Sequence, residues 1–159
     1  MKTITVEYLK SVNACDPGVD AFQKQYPDGV KLDVLIRFCL DSKNLTFLSH
    51  GNWLICRCFT EKQKVQYAIY AARLVLDIYE KQYPDNKAPK KAIESAEAYL
   101  VNPCAKTKKA AYAAAAAAAA AYAAADAADD AYAAAYAADA ARLEMRTKIL
   151  AYGLSLLRK

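Results

Sequence analysis

The stretch that decides the fold is Ala110–Ala141, AAYAAAAAAAAAYAAADAADDAYAAAYAADAA. Of its 32 residues 24 are alanine, and the others are Tyr112, Tyr122, Tyr132, Tyr136, Asp126, Asp129, Asp130 and Asp139. Alanine has the highest helix propensity because it loses no side-chain entropy on folding. No Gly or Pro interrupts the tract, so it reads as helix. The expected fold class is all-α, a compact multi-helix bundle arranged around this Ala-rich helix. The tract carries no chemistry of its own.

A straight helix of that length would run ~48 Å at ~1.5 Å per residue, longer than a compact domain of this size is wide (~40 Å). The helical pattern also continues to Leu157, so a break is expected. The cluster Asp126, Asp129, Asp130 is the natural place, because Asp favours N-caps and first turns. This predicts one helix over about Cys104–Ala125 and a second over about Asp129–Leu157. Tyr136, Leu143, Leu150 and Leu157 then form a stripe on the second, with Tyr132 and Leu154 beside it. Close backbone approach through the alanine faces is the expected use of the first.

Outward from the tract, helices alternate with clear punctuation. Asp16-Pro17 reads as N-cap and first helical residue, and Tyr26-Pro27-Asp28-Gly29 as a stop and turn. Leu32, Leu35, Ile36, Cys39 and Leu40 mark a helix over Val30–Leu40. Thr60-Glu61-Lys62-Gln63 is a capping box, opening a helix whose Val65, Ile69, Ala72, Leu76, Tyr79 and Tyr83 step by four and three. Ala88-Pro89 opens another, with Ile93, Ala96 and Leu100 inward, and Asn102-Pro103 closes it. Thr3–Ala14 fits a strand or a helix. In Leu45–Phe59, Ser49-His50-Gly51-Asn52 reads as an interruption, with His50 at a turn or helix end and Trp53 in the core. Phe22–Gly29 echoes Tyr79–Asn86, either as a shared way of stopping a helix or as a duplication.

The chain of 159 residues suits a single helical domain, 1–159. Met1–Thr5 has no apolar run of the secretory kind, and the uncharged run Ala110–Ala125 is short of the ~20 residues that span a bilayer. A soluble, cytoplasmic protein without membrane contact is expected. Five cysteines, Cys15, Cys39, Cys56, Cys58 and Cys104, suggest reduced thiols, with Cys56 and Cys58 as buried small apolar side chains. The C-x-C spacing of Cys56 and Cys58 does not suit a metal, so no metal and no cofactor is expected.

Net charge is +5, but the Ala tract carries −4 and leaves +9 elsewhere. Two lysine groups, Lys87, Lys90, Lys91 and Lys106, Lys108, Lys109, sit near helix starts and are the residues a nucleic-acid-binding protein would use. The aspartates Asp126, Asp129, Asp130 and Asp139 offer an acidic surface for a basic partner. Catalysis is not expected: His50 is the one histidine, and neither a phosphate-cradling loop nor a nucleophile elbow occurs.

From Trp53 to the C-terminus the chain resembles the Ala-rich, all-helical immunity-protein family of polymorphic-toxin systems, whose relatives also occur in bacteriophage genomes. The resemblance rests on Glu61-Lys62-Gln63-Lys64 entering a helix with Ala71-Ala72 and Leu76. It continues through Tyr79-Glu80-Lys81-Gln82-Tyr83-Pro84-Asp85 and Pro89-Lys90-Lys91-Ala92-Ile93-Glu94 to the long Ala tract. Residues 1–52 lie outside it. The resemblance implies a stoichiometric protein-binding inhibitor, not an enzyme. Its partner would be a toxin, a nuclease or a host defence complex, a CRISPR effector if the gene is phage-borne. The aspartates named above would be its contacts. A nucleic-acid-binding helical protein using the six lysines, and a homo-oligomer joined through the Tyr/Leu stripe, are the competing expectations.

Overall fold

The computed structural model describes residues 2–109 and 135–158. The protein is all-α, with one small two-stranded ladder. Its elements are β1 (Thr3–Ile4), α1 (Val6–Ser11), α2 (Asp16–Gln25), β2 (Val30–Lys31), α3 (Leu32–Asp41), α4 (Leu45–Cys58), α5 (Glu61–Gln82), α6 (Ala88–Val101) and α7 (Ala135–Leu156). Residues 105–109 are also helical. The expected break at Asp126–Asp130 lies outside the described residues. So does most of the Ala tract. The described residues group into two compact units, Met1–Phe59 with Asp139–Lys159, and Thr60–Ala138.

In the first unit the ambiguity of the opening segment resolves into both answers. Thr3 and Ile4 pair antiparallel with Lys31 and Val30, and Ile4 is fully buried. The helix expected from Val30 therefore starts at Leu32, because Val30 and Lys31 are used in the ladder. Thr5 caps α1, its side chain accepting from the Tyr8 N–H. The helix ends in a Schellman turn: Ala14 N–H donates to Leu9 O and Asn13 N–H to Lys10 O, with Asn13 at φ 58°. The cap of α2 falls on Cys15, without a side-chain bond, which moves Asp16 into the first turn.

The expected interruption at Ser49–Asn52 is not one. Asn44 caps α4 by accepting from the Thr46 and Phe47 N–H groups at 2.9 and 3.2 Å, and the helix runs unbroken to Cys58. Leu48, Gly51, Leu54 and Ile55 form its buried face. Gly51 belongs there for lack of a side chain, since a Cβ would meet Leu150 Cδ2 at 2.9 Å and Cys39 Cβ at 3.0 Å. Leu150, Leu154 and Leu156 of α7 are buried. Leu156, not Leu157, faces the core at that end, because the helix stops and Leu157 enters a turn. Arg146 of α7 donates to the Leu45 carbonyl and to Ser49 Oγ on α4.

In the second unit the capping box forms as expected. Gln63 N–H donates to Thr60 Oγ1 and Gln63 Oε1 accepts from Thr60 N–H, at 3.3 and 3.0 Å. Along α5 the most buried side chains are Tyr67 and Tyr79. Tyr67 lies outside the stripe read from the sequence. On α6, Pro89, Ala92 and Ile93 are buried.

The two Tyr-Pro-Asp stops share a geometry. Tyr26 sits at φ −135°, ψ 66° and Tyr83 at φ −130°, ψ 70°. Each donates its N–H to the residue four before it at 2.8 Å. Phe22 packs tilted against Tyr26 and Tyr79 against Tyr83, with ring centroids 5.5 and 4.9 Å apart. The likeness ends at the turn. Gly29 has φ 81° and no room for a Cβ against Ile4 O, and leads into β2. Asn86 instead donates to Tyr79 Oη and accepts from Ala88 N–H, opening α6.

Candidate functional site

The lysines singled out from sequence all lie in the second unit, on structure that fixes where each begins. Pro84 cannot continue α5, and the Asn86 side chain turns the chain into α6, placing Lys87 at its N-cap and Lys90 and Lys91 in its first turn. Asn102, Pro103 and Cys104 form the connection that follows α6. There Thr107 Oγ1 accepts from Cys104 N–H at 3.1 Å and donates to Asn102 O at 2.7 Å. That bond opens the helical residues 105–109, which carry Lys106, Lys108 and Lys109.

These lysines do not form one patch. Lys87 Nζ lies 3.9 Å from Glu80 Oε1, near the C-terminal end of α5, and Lys108 Nζ lies 2.7 Å from Glu61 Oε1, at its first residue. Glu61 and Glu80 are separated along one unbroken helix by roughly 28 Å, at ~1.5 Å per residue. The two groups therefore stand at opposite ends of α5, each beside a carboxylate. Such exposed pairs contribute only about 0–1 kcal/mol each. They do, however, blunt the positive field that a phosphate backbone would meet.

Between those ends α5 and α6 run antiparallel. Arg73 pairs with Glu97, and the adjoining cleft of about 370 Å³ is lined by Arg73, Leu76, Asp77, Lys90, Ile93, Glu94 and Glu97. Charges of both signs alternate across this face. It is suited to polar recognition of another surface and has no single-sign field.

The acidic residues are placed less fully. Asp126, Asp129 and Asp130 lie outside the described residues, and Asp139 stands in the first turns of α7. Among the described residues no three His, Cys, Asp or Glu side chains gather as a metal site would require. No described helix is long and apolar enough to cross a membrane.

His50 is not at a helix end but within α4, because the helix continues through Gly51, and its side chain is exposed. Trp53 is half-buried, with the Arg57 guanidinium 5.3 Å from its ring centroid, not a fully enclosed anchor. No cysteine forms a disulfide; Cys39 is buried, Cys56 and Cys58 are half-buried and not fully enclosed as expected, and Cys15 and Cys104 are exposed. Bonds from the Thr107 hydroxyl and backbone hold the Cys104 thiol below its usual range. Burial pushes Cys39 up to about 11. Tyr8 is pushed up to about 12 by burial and by its 3.5 Å contact with Cys58 Sγ.

Among curated proteins and among solved structures nothing matches the chain. A family model does, over residues 57–154. The match takes in α5, α6 and most of α7, with all six lysines and all four aspartates singled out above. The chain belongs to the Imm-5 like putative immunity protein family.

Proposed function

We propose that residues 1–159 act together as a stoichiometric inhibitor that neutralises a protein toxin by binding it, in the cytoplasm and without catalysis. The observation that carries this reading is the family match across 57–154, since an immunity protein works by occupying its toxin. The mixed-charge face of α5 and α6 is consistent with it, being polar and presenting the exposed Arg73 beside Glu97. Asp126, Asp129, Asp130 and Asp139 are the contacts we assign. A nuclease-type toxin, or another nuclease such as a host defence effector, holds a basic cleft for nucleic acid that grouped carboxylates can occupy.

Use of the lysines for nucleic acid draws less support, because the two groups stand at opposite ends of α5 beside Glu61 and Glu80. The test is co-expression with candidate toxins of polymorphic-toxin systems, nuclease toxins first. Restored growth and a complex that co-purifies after nuclease treatment support the proposal. Restored growth with Asp126, Asp129, Asp130 and Asp139 all changed to Lys would remove the acidic site while leaving the inhibitor.

A further inference from the structure

A second concavity is lined by described residues between Leu9 and Leu54, just before the segment that carries the family match. It has a volume of about 720 Å³, within the range of about 300–1,000 Å³ typical of small-molecule sites. Every described lining residue precedes residue 57, so membership of the family assigns them nothing. Its walls come from α1 to α4 and are aromatic and aliphatic, with Leu9, Phe22, Phe38, Phe47, Trp53 and Leu54 prominent. Leu9, Phe22 and Leu54 are buried, and Phe38 and Phe47 meet edge to face at 5.5 Å. Phe22 is thus held by burial and Phe38 by its contact with Phe47, which is itself 38% exposed.

Polar groups also line it: Thr46 is exposed, and Ser49 and Tyr26 are half-buried. Asn13, Gln25 and His50 line the cavity and are exposed. Among the described residues no Asp, Glu, Lys or Arg lines it. A charged ligand would lose hydration there without a counter-charge, so nucleotides, phosphates and carboxylates do not fit. The wall matches a neutral occupant with a large apolar surface and one or two hydrogen-bonding groups.

We infer that the cavity between α1, α2, α3 and α4 is a binding site for an uncharged, predominantly apolar small molecule. The apolar body packs among Phe22, Phe38, Phe47 and Trp53. A polar end meets Asn13, Gln25 or His50.

The chain carries its own reporter, because Trp53 is its one tryptophan. The test titrates the full-length protein with N-phenyl-1-naphthylamine, a neutral apolar fluorophore that accepts energy from tryptophan. Saturable one-to-one binding is expected, with Trp53 emission falling as probe emission rises. Ala21 lines the cavity and is exposed, so Ala21→Glu places a carboxylate in the wall without touching the core. It should weaken probe binding by roughly tenfold or more, since that carboxylate charges an apolar surface. Val34→Glu, at a residue 46% exposed and outside the lining, should leave binding unchanged, and circular dichroism shows that both variants are folded. Absent or non-saturable binding, or equal binding by both variants, overturns the inference. So does a concentration-dependent dimer that Ala21→Glu dissociates, because the cavity would then be closed by a second copy.

Discussion

Gly51 of α4 and Leu150 of α7 touch so closely that a methyl group on the glycine would fall 2.9 Å from Leu150 Cδ2. Leu150 is fully buried, and Cys39 closes the other side at 3.0 Å. A helix-interior glycine usually costs about 1 kcal/mol relative to alanine. Here it is what lets α4 and α7 meet. Gly51→Ala should therefore destabilise by about 1–3 kcal/mol in urea unfolding, the usual cost of overpacking. In a Leu150→Ala background, itself about 2–5 kcal/mol less stable, the same change should cost less. Equal costs in both backgrounds would show that the contact does not set the position.

The contact also joins residues inside and outside the family match. Leu150 and Leu154 fall within 57–154, yet Gly51 and Cys39 precede it. Removal of residues 1–56 should expose the buried face of α7, giving a fragment that binds a hydrophobic dye and lacks a cooperative thermal transition. A fragment that melts as sharply as the full chain would show that the N-terminal helices are dispensable.

The cysteines should separate by reactivity. Cys104 is exposed with a thiol held low by Thr107, whereas Cys39 is buried with its thiol pushed up to about 11. The thiolate is the reactive form. Ellman titration should show a fast phase that Cys104→Ser removes and that persists below the pH at which an ordinary thiol slows. Cys39 should react only on unfolding.

Cys39 has a consequence for alkaline stability too. Its folded-state value is raised from 9.0 to about 11, so the folded state holds the proton more tightly. The stability this represents is intact below pH 9 and is lost as pH rises toward 11, at no more than about 1.4 kcal/mol per pH unit. Tyr8, raised from 10.0 to about 12, acts in the same direction above pH 10. Cys39→Ala should flatten the pH 9–11 limb of stability measured by urea unfolding, and an unchanged limb would assign the loss elsewhere.

Much of the helical plan is written locally. The Thr60–Gln63 box, the two Tyr-Pro-Asp stops and Ala88-Pro89 each fix a boundary through contacts within a few residues, and each boundary falls where those residues place it. Gly51 misleads because its role is tertiary: alone it signals a break, and only Leu150 and Cys39 turn it into a contact. The spacing of Leu48, Gly51 and Ile55, three then four, was the available sign that the helix continues. The ladder at Thr3–Ile4 and Val30–Lys31 was hidden for the same reason, since a two-residue strand is defined by its partner. The lysines were legible as two groups. Their separation was not, because it depends on which carboxylates, Glu80 and Glu61, each group meets.

The central claim is inhibition by one-to-one binding, and the direct measurement is titration of the purified toxin's activity with this protein. The toxin's activity should fall linearly to zero at a molar ratio of one, with the same end point after nuclease treatment of both partners. Undiminished activity at a several-fold excess, or inhibition that nuclease treatment abolishes, would contradict it.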